Sequence, residues 1–236
     1  EVKMAAIYLV RHGQASFGAA DYDQLSVRGE QQAQLLGQWL KDCHLPVEKV
    51  YLGQAKRHLQ TAQHCLAMTD DLSANAWQTL SGFNEFDHVE ILNRYRPDLA
   101  EHSTMAQFLA ASPQPRKAFQ ALFSAAVDRW LSGEYDHDYQ QTWSAFQQAT
   151  WQALAQVRAE AANARHIWVF TSGGTITAIV QQLLALDPKQ AFTINWNLVN
   201  TGVTKLLFSG ERLSLSYLNS HGHLEQQHQA ELITYR

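Results

Sequence analysis

Apolar residues run unbroken from Ala5 to Val10 and stop at Arg11-His12-Gly13. A run that short, closed by glycine, predicts a buried strand feeding a loop. Ser26 then reads as an N-cap, and Leu35, Leu36, Trp39 and Leu40 follow at helical spacing, predicting a helix over 27–43. A second strand is predicted over 47–52 and a second helix over 55–68, with Leu59, Ala62 and Leu66 on its packed face. Residues 77–80 form a short strand-like run. From about 88 to 165 no strand is predicted. Pro97, Pro113 and Pro115 divide that stretch, a helix is expected over 118–131 before Gly133, and one long helix over 138–164. Strand signals return at 166–170, followed by Thr171-Ser172-Gly173-Gly174-Thr175 and a helix to about 186. Two more strands, 203–208 and 213–218, flank a turn around Gly210. Alternating strands and helices predict a parallel α/β sheet. The expected organisation is one α/β domain over 1–236 with a mostly helical insertion at about 88–165.

Composition narrows the function classes. With 46% hydrophobic and 17% charged residues, the 236-residue chain can bury a sizeable core. A formal charge of −4 argues against a polybasic nucleic-acid or membrane surface. Two cysteines, Cys43 and Cys65, are too few for a disulfide scaffold and fit a reducing compartment. No apolar run approaches the ~20 residues that span a bilayer, and the start, Glu1-Val2-Lys3-Met4, lacks a signal-peptide pattern. The expected location is cytoplasmic, with neither nucleic acid nor membrane as partner.

Four fragments carry chemistry. Arg11-His12-Gly13 ends the first strand, at the sheet edge where ligands bind in open parallel sheets. A histidine there serves as base, nucleophile or ligand, an arginine suits phosphate, and the glycine permits a tight turn; a capped strand end with a surface histidine is the competing reading. Arg57 opens the second helix near the same edge, where a helix N-terminus adds affinity for anions. Phe83-Asn84-Glu85-Phe86-Asp87 holds two acids. Thr171 to Thr175 is a strand–turn–helix whose backbone N–H groups suit an anion. The helical spacing of Phe119, Phe123, Trp130, Trp143 and Phe146 predicts core packing rather than a ligand groove.

Other constellations are weaker. Ser172 lacks the first glycine of a G-x-S-x-G elbow, because Phe170 stands there. The histidines, including His44, His64, His221, His223 and His228, show no zinc spacing and no H-E-x-x-H pattern, so no metal is expected. No G-x-G-x-x-G follows the first strand, which argues against a dinucleotide site.

Taken in order, Arg11-His12-Gly13, Leu25-Ser26 with Gly29 and Gln32-Ala33, Arg57 with Gln60-Thr61-Ala62, Asn84-Glu85, the loop after 166–170, and His223-Leu224 resemble the histidine phosphatase superfamily, also called the phosphoglycerate-mutase-like family. The resemblance covers about residues 6–224. It implies a three-layer α/β/α fold with a mainly parallel sheet. It also implies a phosphohistidine nucleophile at His12, a phosphate clamp of Arg11 and Arg57, and Glu85 as the acid that protonates the leaving oxygen. Asp87 is the alternative acid, set aside because Asn84-Glu85 fits the family pattern. Ser172 departs from that pattern, which has a second histidine before glycine at this loop. Serine donates one hydrogen bond but carries no charge. Ser172 and Gly173 are expected beside the bound phosphate at a helix N-terminus, and the expected phenotype is a slow phosphatase. His58 is a substitute for the missing histidine or, the favoured reading, a residue on the helix surface. Gly53 and Ala55 stand where serine and leucine are common, and Gly18 where an asparagine near the phosphate is common. The implied function is a phosphomonoester phosphatase acting on a small phosphorylated substrate without a cofactor. A mutase and a non-catalytic phospho-ligand binder are the alternatives.

Overall fold

The computed structural model describes residues 4–16, 21–69, 76–161 and 163–235. Gly18 lies outside the described residues. The chain divides into two compact units, 1–85 with 149–236, and 86–148.

The first unit is built on a six-stranded sheet: β1 (Ala5–Arg11), β2 (Lys49–Leu52), β3 (Gln78–Thr79), β4 (His166–Thr171), β5 (Val203–Ser209) and β6 (Arg212–Ser220), in the order β3-β2-β4-β1-β5-β6. The β3/β2, β2/β4 and β4/β1 pairs are parallel; β1/β5 and β5/β6 are antiparallel. The sheet is therefore mixed but mostly parallel. The predicted hairpin around Gly210 is its antiparallel edge.

Strand alternation sorts the core onto two faces. Ile7, Leu9, Ile167 and Val169 face helices α6 (Trp143–Glu160) and α7 (Gly173–Leu184), through Leu154, Val157, Ile176 and Ile179. Tyr8, Val10, Val50, Trp168 and Phe170 face α1 (Val27–Asp42) and α2 (Lys56–Leu66), through Leu36, Leu40, Ala62 and Cys65. Helices on both faces make the three layers. Ser26 caps α1 as expected, its side chain accepting from Gly29 N at 3.0 Å. The α8 helix (Pro188–Asn197) was not predicted.

One face was misread. The buried residues of α2 are His58, Thr61, Ala62, Cys65 and Leu66, whereas Leu59 is 40% exposed. Two polar side chains take inward positions because each has a buried hydrogen-bond partner, and this rotates the packed face away from Leu59.

The second unit contains α3 (His88–Tyr95), α4 (His102–Ala110), α5 (Pro115–Leu131) and the start of α6. Its core is aromatic: Trp130 stands 5.1 Å from Phe86 and 5.3 Å, edge-on, from Trp143, with Phe146 alongside. Trp130 donates to the Gln141 carbonyl at 2.8 Å, so its polar edge is satisfied. These rings form a core, as the helical spacing predicted, whereas Phe119 and Phe123, expected with them, are only partly buried and stack on each other at 6.2 Å. The expected 88–165 insertion is longer than this unit. Ala153, Leu154, Val157 and Ala161, on the C-terminal side of α6, belong to the core of the sheet instead. The expected helix over 138–164 is also shorter, since 136–138 form a separate 3₁₀ turn. No helix among the described residues is long and apolar enough to cross a membrane.

Candidate active site

The parallel strands β1 and β4 end side by side, and their C-terminal loops carry Arg11-His12-Gly13 and Thr171-Ser172-Gly173. His12 N–H donates to the Thr171 carbonyl at 2.9 Å, continuing the ladder one residue past the strand. From the other side Asn200 Nδ2 donates to the His12 carbonyl at 2.9 Å, and Thr201 N–H to the Arg11 carbonyl at 2.9 Å. The His12 backbone is thus fixed on both sides before any side chain is considered.

The motif residues around it are scaffolding. Gly13 N–H donates to Thr61 Oγ1 at 3.0 Å, and Gln14 N–H to Gln32 Oε1 at 2.9 Å. Leu25 N–H donates to Gln60 Oε1 at 2.8 Å, which ties the loop before α1 to α2. Gly13 does not need a left-handed turn, since its φ is not positive. It is required because a Cβ there would sit 2.5 Å from the Gly29 carbonyl oxygen, so two backbones meet at this point.

His12 is buried at 7% exposure. Its Nδ1 lies 2.7 Å from the Gly13 carbonyl, an acceptor, which places the proton on Nδ1 and leaves the Nε2 lone pair available. Arg57 Nε donates toward that lone pair at 3.3 Å. Burial first, then the charges of Arg57 and Arg11, hold His12 well below the ordinary imidazole value of 6.5. The imidazole is therefore neutral near neutral pH.

Arg57 lies in the first turn of α2, and its Nη1 donates to Asp23 Oδ1 at 2.6 Å. Asp23 Oδ2 also accepts from Lys56 N–H at 2.8 Å, so this carboxylate serves as cap for a helix whose own N-cap, Ala55, offers no side-chain bond. Asp21 pairs with Lys56 Nζ. Between these two acids the Tyr22 phenol is raised above its ordinary value, by burial first, with the charge of Arg57 opposing and that of Glu85 adding to the shift. Sequence reasoning passed over Asp21-Tyr22-Asp23; two acids flanking an aromatic one turn before an N-cap serine were the available signal. Arg11 Nη1 donates to the Leu198 carbonyl, and its guanidinium lies beside Gly173.

Glu85 Oε2 accepts from Gly174 N–H at 3.2 Å, which brings the acid to the N-terminus of α7. Its loop is held there by Thr171 Oγ1 on the Phe83 carbonyl at 2.7 Å and Thr175 Oγ1 on the Asn84 carbonyl at 3.0 Å. Asp87, the alternative acid, instead accepts from Val89 and Glu90 N–H, both at 3.0 Å, as the N-cap of α3.

Ser172 occupies the N-cap position of α7 but makes no capping bond. Its Oγ lies 2.6 Å from His58 Nε2. The favoured expectation that His58 lies on the helix surface is overturned: the residue is 0% exposed, with its ring centroid 5.8 Å from that of His12. Burial, and then Arg57, pushes His58 down to about 3. His223 is likewise buried, at 2.9 Å from Thr201 Oγ1, and lowered to about 3 by burial. Among the described residues no group of three His, Cys, Asp or Glu is placed to hold a metal ion.

These buried neutral histidines make a prediction about stability. The unfolded chain takes up protons on them near 6.5, whereas the folded chain resists to about 3 at His58 and His223. Their contribution is complete above pH 6.5 and is lost as pH falls toward 3, with a slope of about 1.4 kcal/mol per pH unit for each histidine. Urea midpoints measured from pH 7 to 4 should fall steadily, and a profile flat to pH 5 would contradict the burial.

Comparison with solved structures gives the same fold. A phosphoglycerate mutase from Bacillus anthracis aligns with TM-score 0.66 and 16% identity over 97% of this chain and 98% of its own. A phosphoserine phosphatase from Entamoeba histolytica, in complex with phosphoserine, aligns with TM-score 0.64 and 21% identity over 93% and 99%. A mycobacterial glucosyl-3-phosphoglycerate phosphatase aligns with TM-score 0.63 and 18% identity over 92% and 100%. The family model for the histidine phosphatase superfamily (branch 1) matches residues 7–129 and 114–221, nearly the whole chain, and the protein belongs to that superfamily.

Proposed function

We propose that this protein is a phosphomonoester phosphatase acting on a small phosphorylated substrate through a phosphohistidine at His12. The observation that carries this reading is the state of His12: neutral, with Nδ1 held by the Gly13 carbonyl and the Nε2 lone pair facing Arg57 Nε. A nucleophilic imidazole needs one nitrogen fixed as donor and the other unprotonated. The substrate phosphorus takes the place of Arg57 at Nε2, and the guanidinium moves onto the phosphoryl oxygens together with that of Arg11.

The reaction then has two steps. The Nε2 lone pair forms the N–P bond as the P–O bond to the alcohol breaks, and Glu85, as the acid, gives its proton to the departing oxygen. Water next attacks the phosphohistidine, Glu85 takes a proton from it, and the N–P bond breaks to release inorganic phosphate. Phosphoryl transfer depends mainly on positioning and charge, which the arginines and the α7 N-terminus with Ser172 and Gly173 supply.

Release of phosphate from a panel of alkyl and aryl phosphomonoesters tests the reading. Tight binding of a phosphorylated ligand without release would favour the binding-protein alternative. Glu85→Gln separates the acid from the rest of the site. General acid catalysis contributes roughly 10²–10⁴-fold, and an alkoxide needs the proton far more than a nitrophenolate does. The variant should lose about that factor on alkyl phosphates and little on p-nitrophenyl phosphate. Equal losses on both would remove Glu85 from the acid role.

A further inference from the structure

His58 has no place in the mechanism above, yet it is the most completely buried ionisable group beside His12. Its Nε2 lies 2.6 Å from Ser172 Oγ, and both residues are 0% exposed. Its Nδ1 lies against the Gly53 backbone, which raises its proton affinity slightly without making a full hydrogen bond, so neither tautomer of the ring is locked from that side. The Gly53 N–H is already engaged with the Phe170 carbonyl at 3.1 Å. A Cβ on Gly53 would fall 2.6 Å from His58 Cε1 and 2.5 Å from the Phe83 carbonyl oxygen. The imidazole thus fits only because residue 53 has no side chain and residue 172 has a short one. Two of the departures from the family pattern, Gly53 and Ser172, bound the ring of His58.

We propose that His58 is a positioning residue for phosphoryl transfer, holding the Ser172 hydroxyl as a donor, so that the two side chains together replace one histidine on the β4–α7 loop. The inference rests on the phosphatase reading above. The pair stands beside the proposed nucleophile, with the His58 ring centroid 5.8 Å from that of His12. An arriving anion selects the arrangement in which His58 Nε2–H donates to Ser172 Oγ and Ser172 donates its own proton to a phosphoryl oxygen. Serine has one proton, and when His58 Nε2–H donates to its oxygen the hydroxyl cannot donate back to the ring, which leaves that proton for the phosphoryl group. The low proton affinity of His58 agrees with this role, because a neutral ring donates without placing a second cation against His12.

The test compares wild type, His58→Leu, His58→Gln, Ser172→His and the double variant His58→Ala/Ser172→His, with His12→Ala as reference. Each is measured for kcat/KM on one phosphomonoester and for affinity toward inorganic phosphate. Leucine fills the volume without a donor, and kcat/KM should fall about 100-fold, the scale of a lost preorganised donor, with weaker phosphate binding. Glutamine keeps a donor and should recover at least tenfold over leucine. Ser172→His alone forces two rings into one space and should lose activity, while the double variant returns the ring to the loop and should exceed both Ser172→His and His58→Leu. Should His58→Leu fail to fold, the glutamine and double variants carry the comparison. Wild-type kcat/KM and phosphate affinity in a folded His58→Leu would overturn the proposal, and loss in His12→Ala alone would leave the phosphatase reading standing. Absence of turnover in the wild type would refute that reading, and phosphate affinity would still decide the pairing. An acid-stable phosphoenzyme on Ser172 would overturn it too, by making serine the nucleophile.

Discussion

His12→Ala should abolish phosphatase activity, with a loss on the order of 10⁶-fold in kcat, the scale seen when an activated nucleophile is removed. The substitution deletes the only protein atom that the proposed mechanism bonds to phosphorus. The backbone contacts of residue 12, to Thr171, Asn200 and Thr201, do not involve its side chain, so the fold should survive. Rapid denaturation of the wild type in alkali during turnover should capture an alkali-stable, acid-labile phosphoenzyme that His12→Ala cannot form. The pH profile gives a second check. His12 is held well below 6.5 by burial and by the arginines, so its lone pair stays available as pH drops through 6. An acid limb assigned to His12 should therefore lie below the ordinary histidine range. A variant that retained wild-type rates would show that another group attacks phosphorus.

How much of this was legible beforehand differs by residue. The strand β1 and its Arg11-His12-Gly13 end were readable because a strand buried on both faces is a continuous apolar run, and the chemistry begins where the run stops. The sheet's second central strand, β4, was readable for the same reason. His58 was not, because hydrophobic periodicity assigns a polar residue to the solvent face. What buries His58 is Ser172, 114 positions away, and the space beside Gly53. Asp23 was missed similarly: its value lies in reaching Lys56 N–H and Arg57 across the fold, a pairing no local pattern encodes. The α8 helix escaped because only Ala191, Phe192 and Asn195 of it are buried, too few to make a stripe. Ser172 was singled out in the sequence and His58 was weighed as a substitute for the missing histidine, but the 2.6 Å contact between them is found only in three dimensions.

Arg57→Ala carries the other large expected effect. Arg57 Nε lies 3.3 Å from His12 Nε2, the proposed nucleophile, while Asp23 restrains its Nη1 at 2.6 Å. In the proposed mechanism that arrangement places a charged donor fork where the phosphoryl group arrives. Arginines that stabilise a transferring phosphoryl group are worth roughly 10³–10⁵ in kcat, and kcat/KM should fall by about that much. Arg57→Lys should recover little, because a point charge cannot donate in parallel to two phosphoryl oxygens or be held by Asp23 in the same plane. The variant should also shift the pH profile in a defined direction. Arg57 is one of the causes that lower His12, so its removal raises the proton affinity of the ring, and the acid limb should move to higher pH. Burial, the larger cause, remains, and the limb should stay below 6.5. A loss of rate with no shift of the acid limb would mean that Arg57 acts on the substrate from a distance at which His12 does not feel its charge.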